Sequence, residues 1–462
     1  MRLAGARQHG ADEPGGPTEG ARAAAHPNLA LAVVVVGVLI TAVDTTIVVL
    51  ALPDIQRSLH VGLASVIWVI IGYLLVITLL STQVGRLGDL FGRLRMYEAG
   101  FVVFVAGSLA CALSWNELSL VGFRLLQGVG GALIAANSGA VIADTFPPEQ
   151  RGRAYGMNSI GFNTGAVLGV VLGGVIVTFV SWRWIFGINV PIGLAAAVGA
   201  RRVLVDSGRR QQRRLDWWGM VTLGIGLFGL LWAMVKLTSQ SLDLTIAGWL
   251  VGGAVVLVVF WGIERTNPAP MLDLDLFRVP TMTPSLLAAL FQSLANFAVL
   301  FLLLMYLQGV RHLSPLLAYA QLGLRTPLWF VVVAYVVGAV GSGCFFPSNN
   351  SAVMKAAPGE RFGTASGLLR TFANVGMVFS FALAILVASA TITKHEAFAI
   401  FVGTTTLRPS VAGPFTDGIH AAFYSSTSLM VVAALLSASR ARPRRHQVGP
   451  PTGAGRGAPA GP

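Results

Sequence analysis

Two apolar runs, Val61 to Gly85 and Ala99 to Trp115, carry no charged side chain and flank one short basic segment. That segment reads Gly85-Arg-Leu-Gly-Asp-Leu-Phe-Gly-Arg-Leu-Arg95. Each run is about as long as an α-helix must be to cross the hydrocarbon of a bilayer, roughly 17–25 residues. Few chains have such runs, and they leave few folds open. In lipid every backbone polar group must be satisfied internally, so only helices and closed barrels span. The runs are continuously apolar and lack the alternation of a barrel strand, which selects helices. A short connector rich in Arg faces the cytoplasm by the positive-inside bias. Its glycines let two helix ends approach closely, and Asp89 is placed to pair with Arg93 or to sit against a helix N-terminus.

The pattern repeats. By length and charge depletion, about twelve spans are expected near 29–52, 62–84, 97–115, 118–143, 155–181, 184–203, 217–235, 244–262, 282–307, 327–353, 371–393 and 420–438. Only 11% of the 462 residues are charged and 55% are hydrophobic, with a mean hydropathy of +0.72. A soluble domain carries about 25% charged residues, so this chain has too few to cover a water-facing surface. A net charge of +13 would point to nucleic acid in a soluble protein. Here Arg201, Arg202, Arg209, Arg210, Arg213 and Arg214 crowd one connector. They read as topology and contact with anionic headgroups, with no nucleic-acid partner. Both termini come out cytoplasmic. Residues 1–28 and 440–462 are polar, rich in Gly, Ala and Pro, and read as disordered cytoplasmic tails. Cys111 and Cys344 lie inside apolar runs, and no disulfide framework or metal site is expected.

An internal repeat divides the chain. Pro147, Gly152, Ala154, Gly156, Asn163 and Gly165 recur as Pro358, Gly363, Ala365, Gly367, Asn374 and Gly376, all at one offset of 211 (358 − 147). This gives a first half over 29–203, a linker with two central helices over 204–280, and a second half over 281–439. The halves differ in length. From the end of the first span at Pro53 to Pro147 is 94 residues, whereas Leu307 to Pro358 is only 51. The shortfall of 43 is close to two spans of about 20 residues each. The second half is therefore expected to lack a helix pair.

Several polar residues stand inside apolar spans. Asp44 lies in the first, where an acid is costly and so is a functional candidate by default. The alternative is a structural acid, hydrogen-bonded to a neighbouring helix. Arg124, within Arg-Leu-Leu-Gln-Gly-Val-Gly-Gly, needs an acceptor, and Asp44 is the plausible partner by depth. A snorkelling Arg at an interface is the alternative. Gln127 lies about one turn from Arg124. Gly156, Gly165, Gly169, Gly173 and Gly174 give one helix a stripe for close contact with a partner helix that leaves little room for water; generic glycine-rich membrane packing is the alternative. Pro53 and Pro191 are expected to kink or start helices. The histidines form no site, and no Walker sequence or nucleophile elbow is present, so enzymatic chemistry is not expected and no cofactor is implied.

The spacing G-x-L-x-D-x-x-G-R-x-R resembles the loop between helices 2 and 3 of the major facilitator superfamily. The glycine stripe resembles the antiporter signature of the fifth span, with Val170 where that family usually has Pro. Ser181-Trp-Arg-Trp-Ile-Phe-Gly-Ile-Asn-Val-Pro-Ile-Gly193 resembles the start of the sixth span in the fourteen-span drug:proton antiporter branch. Leu215-Asp-Trp-Trp-Gly219, Asn267-Pro-Ala-Pro-Met-Leu-Asp-Leu274, Tyr306-Leu-Gln308 and Ser314-Pro-Leu316 follow in that branch's order. The expected fold is an all-α membrane bundle of two pseudo-symmetric halves with about twelve transmembrane helices, in the inner cell membrane. The resemblance implies proton-coupled export of hydrophobic, often cationic small molecules, as in multidrug efflux. On this reading Asp44 and Arg124 couple the protons, and Gln127, Asn163, Gln292, Asn296 and Asn374 line a substrate cavity. Gly85, Gly88, Asp89, Gly92 and Arg93 form a conformational loop. The partners are a small-molecule substrate, protons and the lipid bilayer. The alternative is a truncated, non-transporting member of the same family.

Overall fold

The computed structural model describes residues 27–61, 66, 68–204, 216–239, 242–268, 270, 272, 274–305, 328–388 and 409–439. Among these residues there are helices and no strand. Twelve of the helices are long. The first half holds α1 (Pro27–Leu59), α2 (Trp68–Phe91), α3 (Arg93–Ala112), α4 (Glu117–Thr145), α5 (Pro148–Phe179) and α6 (Asn189–Val203). Then come α7 (Trp217–Ser239) and α8 (Leu244–Thr266), followed by α9 (Met282–Met305), α10 (Leu328–Ala356), α11 (Phe362–Ala388) and α12 (Pro409–Ala438). Nine helices are long and apolar enough to cross a membrane among the described residues. Outward faces carry bare aliphatic side chains, such as Leu118 at 81% exposure and Val258 at 72%. A water-facing surface does not carry apolar patches of that extent.

The expected tails lie almost wholly outside the described residues, as does the segment 306–327. Helix ends differ from the sequence reading because helices outrun the hydrocarbon. The segment Gly85 to Arg95 is a connector in name only: α2 runs on to Phe91 and α3 starts at Arg93. The whole turn is Gly92, whose φ of 105° lies in the left-handed region that an L side chain resists. Likewise α5 begins at Pro148, where a proline at the first helical position forfeits no hydrogen bond. It continues through Val170 without a break. Pro53 sits inside the last turns of α1, and Pro191 sits in the first turn of α6.

α1 packs along α5 because glycine lets the backbones meet. A methyl group added at Gly165 would come within 2.6 Å of the Leu39 carbonyl, and one at Gly169 within 2.6 Å of the Val43 carbonyl. The working stripe is Gly161, Gly165, Gly169 and Gly173, spaced four apart on one face. Gly156 corrects the expected set, since nothing lies within 4 Å of its missing side chain. Gly174 is buried and its carbonyl accepts from Thr178.

The second half repeats this contact. α9 packs along α11, and Gly376 meets the Leu290 carbonyl as Gly165 meets that of Leu39. The contacting pair is 126 residues apart in the first half (165 − 39) and 86 in the second (376 − 290). The halves meet where α2 crosses α11, with Gly85, Gly363 and Gly367 at the crossing. α10 leans on α5 on the other side. The α7–α8 pair docks on α2 and α11, with Trp68 against Trp232 at 4.8 Å and Gln83 donating to the Met220 carbonyl.

Candidate functional site

Inside the first half, α1, α2, α3, α4 and α6 enclose one buried polar cluster. Asp44 Oδ2 accepts from Arg124 Nη1 at 2.6 Å. Its Oδ1 accepts from Gln127 Nε2 at 2.8 Å and from Asn189 Nδ2 at 3.0 Å. Gln127 also donates to Ser108 and accepts from Arg124. Arg124 Nε donates to the Val69 carbonyl at 2.8 Å, and its guanidinium lies 4.0 Å over the Tyr73 ring. Asp44, Arg124, Gln127 and Asn189 are all fully buried.

Taking two charges out of water costs several kcal/mol each, recovered only where geometry and extra hydrogen bonds are good. Three charge-assisted bonds to one carboxylate meet that demand. A proton on Asp44 would cancel the charge that holds Arg124, so protonation here changes what α1 and α4 can grip.

The second feature is a cleft between the halves. Its cavity volume is about 60 Å³, within a wider space of about 840 Å³ that runs into open solvent. α4 and α5 supply Gly139, Tyr155, Asn158, Ser159, Phe162 and Asn163, and α9, α10 and α11 supply the opposite wall. Asn163, Asn296 and Asn374 line it together. Gln127 and Gln292, expected beside them, stand elsewhere. Gln127 is taken up by the Asp44 cluster, and Gln292 donates to Ser342 at 3.0 Å within the second half.

The third feature joins the halves at one end. Asp89 accepts from the backbone amides of Gly363 and Thr364 at 2.9 and 2.8 Å, and from the Thr364 hydroxyl. It thereby caps the start of α11, where unpaired amides and the helix dipole favour an anion. Arg93 pairs with Asp89, grips Asp144 with two bonds of 2.7 Å and donates to the Gly359 carbonyl. Both alternatives read for Asp89 are realised at once. Gly85 and Gly88 are what permit it, each pressed against a neighbour, Gly363 and Asn137.

Sequence reasoning missed Ser108, Tyr73 and Asn189 as members of the buried cluster, and missed Arg370 in the cleft. Asn189 had a signal, an amide inside an apolar run just before Pro191. Arg370 fell one residue outside the expected span 371–393. Because α11 starts at Phe362, Arg370 sits two turns inside it.

Relatives agree with this architecture. The Major Facilitator Superfamily profile matches residues 34–326. The tetracenomycin C resistance and export protein of Streptomyces glaucescens is 35% identical over 312 residues, covering 66% of this chain and 57% of that protein. The chain thus spans little more than half of that relative's length. The uncharacterized transporter YebQ of Escherichia coli is 31% identical over 403 residues, covering 77% of this chain and 88% of YebQ. Among solved structures, the proton:xylose symporter XylE has a similar fold, with a TM-score of 0.50 at 13% identity over 89% of this chain and 99% of XylE. By profile and by relatives, this multi-pass membrane protein belongs to the Major Facilitator Superfamily.

Proposed function

We propose that this protein exports hydrophobic small molecules in exchange for protons entering the cell. The observation that carries the reading is Asp44, sealed from water and held by Arg124, Gln127 and Asn189, within a bundle that has a cleft between its halves. An acid inside a membrane span is costly and is a functional candidate by default, proton relay among its roles. Asp44 carries the proton, Arg124 registers its charge, and the cleft holds cargo. The halves rock about that cleft, and the Asp89–α11 junction holds one end shut. The Streptomyces relative is named for resistance and export, which supports an outward direction.

The expected site is the cell membrane, with both termini cytoplasmic. Single cysteines at Arg93, Ser239 and Ser439, in a version without the two native cysteines, test this with a membrane-impermeant reagent. Only the Ser239 position should react from outside; external labelling at Arg93 would overturn the orientation.

Transport itself is tested in proteoliposomes with cationic, neutral and anionic lipophilic dyes. Efflux should follow an imposed proton gradient and stop when an ionophore collapses it. No gradient-dependent movement of any dye would leave the second reading, a truncated relative without transport.

One observation favours that second reading. The same glycine–carbonyl contact spans 40 fewer residues in the second half than in the first (126 − 86). The 403 positions aligned with YebQ use 77% of this chain, so about 47 fall opposite a gap here (403 less 77% of 462). Both figures equal about two transmembrane helices. A version with a helix pair inserted between Leu316 and Arg325, outside the described residues, should export faster than the chain as it stands.

A further inference from the structure

Arg370 reaches into the cleft from α11, and α11 brings no acid with it. Among the described residues it makes no ion pair and no hydrogen bond. Its recorded neighbour is the Phe162 ring, 6.0 Å from the guanidinium carbon. The acids on the helices around it are engaged elsewhere. Asp89 and Asp144 hold Arg93, and Asp44 holds Arg124. No carboxylate lines the cleft among the described residues.

One turn further along α11 stands Asn374, on the same face as Arg370. Its side-chain Nδ2 is buried without a hydrogen-bond partner. The cleft therefore offers a fixed positive charge and an idle N–H donor side by side. Both need an acceptor, and an unmet donor costs about 1–3 kcal/mol when buried. The remaining wall mixes Phe297, Phe346, Met354 and Met377 with the amides and hydroxyls of Asn158, Ser159, Asn163, Asn296 and Asn350.

We propose that Arg370 and Asn374 form an anion-binding end of the cleft, and that the cargo is an apolar molecule bearing a single carboxylate. The guanidinium fork matches a carboxylate in two bonds, Asn374 supplies a third donor, and the aromatic wall takes the body of the molecule. This narrows the cargo class of the export reading above and rests on it only for direction. A cation, the other class that the family resemblance implies, would meet like charge in a medium where such repulsion is weakly screened.

The test is equilibrium binding of three matched probes, 2-naphthoate, 2-naphthylmethanol and 2-naphthylmethylammonium, to the full chain in neutral detergent. Naphthoate should bind at least about tenfold more tightly than the ammonium probe. Arg370→Gln should remove that preference and leave the neutral alcohol within about twofold. Asn374→Asp, which keeps Arg370 and places a carboxylate beside it, should neutralise the site and remove the naphthoate preference. If Arg370→Gln does not stay monodisperse, the wild-type ranking and Asn374→Asp decide. Equal or tighter binding of the ammonium probe, or unchanged naphthoate binding in a folded Arg370→Gln protein, overturns the proposal. The assay needs no gradient and no turnover. Loss of proton-coupled efflux with the naphthoate preference intact would therefore sink the transport reading alone.

Discussion

The two halves share one packing device and use it to hold opposite kinds of polar group. In each, a glycine of one helix seats on a carbonyl of another, Gly165 on Leu39 and Gly376 on Leu290. The shared contact aligns α1 with α9 at an offset of 251 (290 − 39), which places Ala295 where the first half has Asp44. The first half encloses a complete ion pair, shut off from the cleft and fully bonded. The second half keeps a neutral chain, Gln292 to Ser342 to Asn296, and turns its one cleft charge, Arg370, toward open space. A bundle can duplicate its scaffold without duplicating its electrostatics.

The harshest way to break this contrast is Asp44→Asn. Proton-driven efflux should fall to the level of empty liposomes; the amide still accepts from Arg124 but leaves its charge unpaired, so efflux is read per amount of folded protein recovered. Normal transport by that variant would make Asp44 a structural acid and move the proton site elsewhere. Next in size is Arg124→Met, which strands a buried carboxylate. It should cost about 3–5 kcal/mol, read as a large fall in melting temperature in detergent, and a second substitution at Asp44 should recover much of it. If the single variant melts like the wild type, the cluster is not holding the first half together. The mildest and most discriminating pair is Gly165→Val and Gly376→Val. Each forces side-chain atoms onto a carbonyl, with an expected cost of about 1–3 kcal/mol for overpacking. Similar losses would support the equivalence of the halves; a loss at Gly165 alone would show that the shorter half packs more loosely.

Much of this was legible in the chain. Twelve charge-depleted runs correspond to the twelve long helices among the described residues, since length and apolarity suffice to locate a span. Asp44 and Arg124 were matched by depth alone, because an acid and a base inside apolar runs have few other partners. Facing was harder to read. Gln127 and Gln292 were polar and intramembrane, yet a helix presents several faces, and both turned toward protein instead of the cleft. Gly156 and Gly161 differ in the same way: composition marks a glycine-rich helix, and only the crossing selects which glycines touch. Arg370 was lost to a boundary error of two turns, because hydropathy sees where charge begins and not where a helix does.

The Asp89 cap on α11 has a consequence for the resting population. The equivalent start of α5, on the same face by the expected topology, has Pro147 at its cap and no side-chain hydrogen bond. Parting α2 from α11 must break the bonds of Asp89 to Gly363 and Thr364 and that of Arg93 to Gly359. Hydrogen bonds to charged groups are worth about 1.5–3 kcal/mol each, and about 1.4 kcal/mol is tenfold in population. Every such bond therefore weights the closed arrangement at this end by roughly tenfold or more. On the proposed rocking cycle, these bonds weight the arrangement with this end closed before any cargo or proton arrives. A ligand drives it by offsetting that standing difference, in proportion to how much better it binds the rarer state.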